Sequence, residues 1–470
     1  MHRLLALLSV AAFLLAGPIA CQPSGSTPRS GAPHAGARPA DSLRMDALRA
    51  DSLRADSLQT DALRADSLRA LGAMQDSGAV TMPALERQRL VANDSLWAEA
   101  LRIHYNAIVM DGHIDTPLLM ADDGYNLSQR HTWRRSHNDL PRMTQGGLDA
   151  PFFSIYVAPY YGEGARAVRR ARAVMEEVQR QVEAADATAL ATTAADVRRI
   201  ARSGRKAILM GLEGGHALAA SPDTLHALAD AGIRYVTLTH VNTNRWADSS
   251  QDAPQHNGLS DLGRRMVRTM NDRGVLVDLA HVSDSTFFDA VETSRAPVIV
   301  SHSSCRHLTP TVRNLSDAQL RAVAQTGGVV MVNFFDAMVN PQLDSTVYAA
   351  AHARLDRQGK SLRSLWGAVY AEKRARGLAG AALDDVLDHI DHAVQVAGID
   401  HVALGSDFDG VFDLPTGLRD VTRLPWITYG LLKRGYTEPD LLKILGGNTL
   451  RVLEAADREA NAPPGSPGES

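Results

Sequence analysis

Residues 109–117 read VMDGHIDTP. An apolar run that begins at Ala107 gives way to Asp111, then to His113 and Asp115, two apart, and then to Pro117. A short β-rich run bounded by turn residues is a strand signal. Side chains two apart on an extended chain share a side, so His113 and Asp115 are expected to face one point. The pattern recurs along the chain. Eight such runs are expected as strands: Ala107–Met110, Phe152–Val157, Ala207–Gly211, Tyr235–Thr239, Val275–Leu279, Val298–Val300, Val329–Asn333 and His401–Gly405. Most are continuously apolar, as parallel strands buried on both faces are. Helical patterns lie between most of them. Ser221-Pro222 opens one stopped by Gly232, Ser260 opens one ending at Gly274, and Ser316 opens one ending at Gly327. This alternation predicts an α/β fold, a (β/α)8 TIM-type barrel.

Polar residues recur where these runs end. Glu213 follows the third run in LMGLEGGH, and His240 the fourth in VTLTH. His281 follows the fifth in VLVDLAHVS, His302 the sixth in VIVSHS, and Asp407 the eighth in VALGSDFDG. In a barrel these ends converge on one face, where active sites lie. One histidine at a strand end is ordinarily a hydrogen-bonded structural group. Four histidines and three carboxylates at the same end point to a metal site. Asp111, Asp278 and Asp409 flank these residues and read as supporting groups. His256, His307, His389 and His392 fall in loops or helices and read as surface or core.

The 470 residues suffice for one large domain with extras. A formal net charge of −4 gives no sign of nucleic-acid binding. The two cysteines, Cys21 and Cys305, make neither a disulfide framework nor a zinc-finger spacing. Cys305 reads as a buried or loop thiol.

The N-terminus reads as an export signal over residues 1–20: Arg3, an apolar run from Leu4 to Ala16, then small residues. Ile19-Ala20-Cys21 resembles a bacterial lipoprotein box, with Pro18 where Leu is usual, which would make Cys21 the lipidated first residue. Gln22 is not the Asp of an inner-membrane retention signal, so outer-membrane anchoring, facing periplasm or exterior, is expected. A Pro/Gly/Ser-rich linker follows, then a pentad repeat of the ADSLR type from Ala40 to Arg69. Five residues advance about 500° on a helix, so the leucines wind around it and form no stripe. Residues 21–84 therefore read as anchor, linker and solvated spacer, 85–458 as the barrel domain, and 459–470 as a disordered tail.

The sequence resembles the membrane (renal-type) dipeptidases, zinc peptidases with a binuclear site in a metal-dependent barrel. The stretches that carry the resemblance are DGHIDTP, GLEGGH, YVTLTHVNTNRWAD, GLSDLGRRMV, GVLVDLAHVS, APVIVSHSS, Arg313-Asn314, MVNFF, DHIDHAVQVAGIDHVALGSDFDG and GGNTLRVLE, over roughly residues 100–455. The resemblance implies two zinc ions. His113 and Asp115 would hold one, His281 and His302 the other, and Glu213 would bridge them. These are donors zinc accepts, and two zincs can share a hydroxide able to attack at neutral pH. By the same resemblance, Asp407 acts as general base and then general acid. His240 stabilises the oxyanion, and Arg313 clamps the carboxylate of a dipeptide substrate. A homodimer is also implied. One departure is Phe334-Phe335, where many relatives carry Phe-Tyr. Two other classes remain. A binuclear amidohydrolase acting on cyclic amides, lactones or phosphoesters would typically carry His-x-His after the first strand and a carboxylated lysine after the fourth. A non-catalytic lipid-anchored binding protein would be marked by lost ligands.

Overall fold

The computed structural model describes residues 95–462. The export signal, Cys21, the linker, the pentad repeat, the expected domain start at Leu85 and the last eight residues of the tail lie outside the described residues. No helix among the described residues is long and apolar enough to cross a membrane.

Among the described residues nine strands form: β1 (Val109–Ile114), β2 (Leu148–Tyr156), β3 (Thr188–Leu190), β4 (Lys206–Glu213), β5 (Ile233–Thr237), β6 (Leu276–Asp278), β7 (Ile299–Ser303), β8 (Val329–Val332) and β9 (Val402–Leu404). All pair in parallel, in the order β1-β2-β4-β5-β6-β7-β8-β9. A bridge between Ile114 and Phe408 brings the chain after β9 back to β1, which closes the barrel. The eight expected runs correspond to these eight barrel strands. The ninth, β3, was not foreseen. It is three residues long, pairs only with β4, and lies off the barrel path.

The helix starts follow the chemistry read from sequence. Ser221, Ser260 and Ser316 each accept a backbone N–H in the first turn, from Thr224, Gly263 and Gln319. The last helix, Asn448–Ala460, runs two residues past the expected domain end at Arg458. The Asn461 side chain donates to the Asp457 carbonyl at 2.6 Å and closes that final turn.

The barrel interior has two layers. Phe152, Leu209, Tyr235, Leu276, Ile299, Val329 and Ala403 pack with Met110 and Met331 in an apolar lower layer. One step further along the same faces stand Ser154, Gly211, Thr237, Asp278 and Ser301, and a second step along β4 stands Glu213. The strands thus turn from apolar to polar at their C-terminal ends, which is where the polar site is built. Gly211 has a steric reason: a Cβ there would lie 2.0–2.3 Å from the Tyr235 ring. Gly211→Ala is therefore expected to destabilise the barrel by about 1–3 kcal/mol through overpacking. Chemical denaturation would check this; unchanged stability would mean the ring can shift freely.

Between β8 and β9 the chain inserts helices Asp336–Val339, Ser345–Arg357 and Leu365–Arg376, whose cluster includes Phe335, Leu343, Val347 and Leu365 and is joined by Val411 from beyond β9. The sequence reading gave no separate role to this insertion.

Candidate active site

His113 and His302 lie inside β1 and β7, not after them. Each sits at a register shift, between Asp111 and Ile114 in β1 and between Val300 and Ser303 in β7. Such an irregularity re-aims a side chain that strict alternation would send elsewhere. Asp115 is past the strand. With φ −93° and ψ 13° it stands at the start of helix Thr116–Asp123, with Pro117 in the first turn. His113 and Asp115 therefore meet through a bulge and a helix start, which corrects the expectation that alternation alone aligns them. The Asp115 Oδ2 lies 3.3 Å from His113 Nε2.

Glu213 ends β4 and occupies the middle of the cluster. Its Oε2 is 3.5 Å from His113 Nε2, whereas its Oε1 is 3.2 Å from His281 Nε2, 3.6 Å from His302 Nε2 and 3.8 Å from His240 Nε2. Each carboxylate oxygen thus faces its own set of imidazoles. Three overlapping groups could each hold an ion: His113, Glu213 and His302; Glu213, His240 and His281; His113, Asp115 and Asp407. All seven residues singled out at strand ends are brought together. His281 and Asp407 adopt φ of 67° and 63°. This left-handed region is uncommon for residues other than glycine, costs on the order of 1–3 kcal/mol, and clusters at functional sites.

The donor set fits bound metal. His113 Nε2 and Asp115 Oδ1 are buried without a hydrogen-bond partner. His281 Nε2 and His302 Nε2 face each other at 2.9 Å, a contact that suits two nitrogen ligands to one ion. Burial holds His281 and His302 well below the ordinary imidazole range, reinforced for both by Arg313. They are therefore neutral, as ligation requires.

Several residues hold these groups in place. Tyr235 Oη lies 2.7 Å from His113 Nδ1. Ser301 Oγ lies 2.8 Å from His302 Nδ1 and donates to Asp278 Oδ2 at 2.7 Å. Asp278 also accepts from Thr237 Oγ1 at 2.5 Å and from the Ser301 N–H at 2.8 Å. Asp111 accepts the N–H groups of His113 and Ser406, tying the ends of β1 and β9. Asp409 accepts from Thr116 Oγ1 and the His137 N–H. The three flanking aspartates are thus bound into the frame. Asn333 Nδ2 donates to Asp407 Oδ2 at 3.0 Å, and Ser154 Oγ to Glu213 Oε2 at 3.3 Å. Sequence reasoning missed Tyr235, Ser301, Asn333 and Ser154. The available signal was their place on the interior faces of otherwise apolar strands.

Asp407 is pushed up to about 8, chiefly by burial and then by the neighbouring charges of Asp115 and Glu213, against the pull of His113. Burial draws His240 down to about 4. Its side chain is 17% exposed, against 2% for His302, so it faces the open side of the cluster. Tyr156 packs edge-on against its ring at 4.8 Å. Arg313 is buried, with Nη2 3.4 Å from the His302 carbonyl. Burial lowers its guanidinium to about 10, opposed by the charges of Asp407, Glu213 and Asp278. Phe335, at the departure noted in the sequence, is buried against Trp366, Tyr370 and the half-exposed Phe412. Arg363 of the insertion pairs with Asp252 of the loop after β5, so the two rims are tied together.

The histidines read from sequence as surface or core have partners outside the site, with His307 stacked on His392 at 4.9 Å. His389 accepts the Cys305 N–H, His392 pairs with Asp317, and His256 bonds the Asn244 carbonyl. Cys305 is buried and stands apart from the candidate metal groups.

The model of the membrane dipeptidases, peptidase family M19, matches residues 97–466. The chain is 33% identical over 400 residues to the dipeptidase tcpJ of Claviceps purpurea (strain 20.1), covering 82% of this chain and 86% of that one. It is similar in structure to the probable dipeptidase PvdM from Pseudomonas aeruginosa, with a TM-score of 0.69, 26% identity, and coverage of 77% of this chain and 99% of that one. A metallo peptidase from Rhodobacter sphaeroides, liganded with a phosphinate mimic of the dipeptide L-Ala-D-Ala, is also similar, with a TM-score of 0.61, 27% identity, and coverage of 74% and 99%. With the family model spanning the whole barrel, the chain belongs to the membrane dipeptidase family, peptidase family M19, and is a metal-dependent dipeptidase.

Proposed function

We propose that the chain holds two zinc ions and cleaves free dipeptides with residues arranged on either side of Glu213. The observation that carries this is the split of the Glu213 carboxylate. Oε2 faces His113, while Oε1 faces His281 and His302. His113 and Asp115 would hold one ion, His281 and His302 the other, and Glu213 would bridge them. When bound, zinc supplies a polarised carbonyl and a water acidic enough to ionise near neutral pH.

The chain's own residues supply the rest. Asp407 is held at Oδ2 by the Asn333 side-chain amide. Two bound cations would offset the burial and the Asp115 and Glu213 charges that raise its carboxyl, leaving it ionised to take the proton of the attacking water and return it to the leaving amine. His240, kept neutral by burial, offers a ring N–H to the oxygen that gains charge. Arg313, buried and cationic, binds the terminal carboxylate of the substrate. A longer peptide places an amide there instead and loses that charge pair. The phosphinate mimic of L-Ala-D-Ala bound by the Rhodobacter sphaeroides relative supports a dipeptide occupant, including one with a C-terminal D-residue.

Export and lipidation of Cys21 at the outer membrane complete the proposal. They are supported by the apolar run Leu4–Ala16 and the Ile19-Ala20-Cys21 box. A homodimer is the assembly the family resemblance favours. Labelling cells with an alkyne fatty acid should mark the protein, and Cys21→Ala should abolish the label and release the protein from membranes. Equal labelling of both would remove the anchor.

The test of function is metal content with dipeptide hydrolysis. The purified protein should carry zinc, lose activity on chelation and regain it with zinc. Full activity after complete metal removal would refute the site.

A further inference from the structure

We propose that Tyr235 is a positioning residue that orients the His113 ring through Nδ1, and so sets zinc affinity on one side of Glu213 only. The proposal rests on the two-ion site above. A neutral imidazole has one N–H and one lone pair. For His113 Nε2 to ligate, the proton must sit on Nδ1 and must be donated to something. Within the barrel that partner is the Tyr235 hydroxyl, 2.7 Å from Nδ1. Nε2 has no hydrogen-bond partner and points between Asp115 and Glu213. Tyr235 is fully buried, and its ring is held in the space left by Gly211 and against Phe152 at 5.1 Å. Little freedom remains for the hydroxyl, so the imidazole it meets is held as well.

The other side of the site uses a different device. His302 Nδ1 meets Ser301 Oγ, whose single proton goes to Asp278. The serine oxygen must therefore accept from Nδ1–H, which leaves Nε2 free to ligate. Two imidazoles that meet different oxygens of one carboxylate are thus oriented by separate partners, a phenol from β5 and a serine–aspartate pair from β7 and β6. Outer partners of ligating histidines commonly govern metal affinity by about 10–100-fold. Because the partners are separate, loss of one should weaken one ion and spare the other.

Tyr235→Phe removes the hydroxyl and keeps the ring over Gly211. Zinc titration of the chelator-treated protein by calorimetry should show two equivalents for the natural chain. For Tyr235→Phe, one equivalent should weaken about 10–100-fold while the other is unchanged. The metal-free variant should still melt cooperatively, its melting temperature lowered only by the one buried imidazole nitrogen left without a partner. Two equivalents of undiminished affinity in the variant would overturn the proposal. Equal weakening of both would overturn it too, because the hydroxyl would then serve the barrel and not one ion. Failure of the natural chain to bind two equivalents would instead overturn the underlying two-ion site.

Discussion

Glu213→Gln is expected to remove at least one zinc equivalent and to lower kcat/KM for dipeptides by about a thousandfold or more. A metal acting as a Lewis acid is worth several kcal/mol, and each ~1.4 kcal/mol is tenfold. Glutamine keeps the shape of the side chain and one carbonyl oxygen. It replaces the other oxygen with an NH2 group, which donates and cannot ligate. Both oxygens face imidazole nitrogens, Oε2 at 3.5 Å and Oε1 at 3.2 Å, so under the proposed bridge one ion would lose its shared ligand whichever way the amide turns. On the proposed two-ion site, the loss of a negative charge would also weaken the hold on both dications. Elemental analysis and kinetics on the same sample decide it. Full occupancy with normal turnover would show that Glu213 is no bridge.

Arg313→Ala separates substrates that differ by one charge. The guanidinium is buried, so its charge acts with little screening by water. Losing a charge-assisted hydrogen bond costs ~1.5–3 kcal/mol, which corresponds to roughly ten- to several-hundred-fold in kcat/KM for a free dipeptide. A dipeptide amide, which lacks the carboxylate, should change little. Arg313→Lys should recover only part, because an ammonium cannot fork onto two oxygens. Zinc content should be the same in all three proteins. Equal losses on acid and amide would instead show that Arg313 supports the chain around the His302 carbonyl, which it reaches at 3.4 Å.

Much of this site was legible because parallel strands are written as apolar runs whose ends converge. The runs ending at Glu213, His240, His281, His302 and Asp407 needed no contact information to be placed on one face. The aim of single side chains was less legible. His113 and His302 are turned by register shifts, and Asp115 by a helix start, none of which strand alternation encodes. Tyr235 and Ser301 were hidden for a different reason. A tyrosine or serine in an apolar strand reads as packing until its partner, often over a hundred residues away, is known, as with Tyr235 and His113. The insertion between β8 and β9 builds a small apolar cluster, which periodicity could not attach to the rim of the site.

The most direct test is a zinc titration of metal-free natural protein, with dipeptide hydrolysis measured at each addition. Hydrolysis should be absent without metal, rise with added zinc and reach its plateau at two equivalents per chain, with Glu213→Gln failing to reach it. A plateau at one equivalent, or turnover undiminished in the metal-free protein, would contradict the claim that Glu213 joins two ions into one hydrolytic centre.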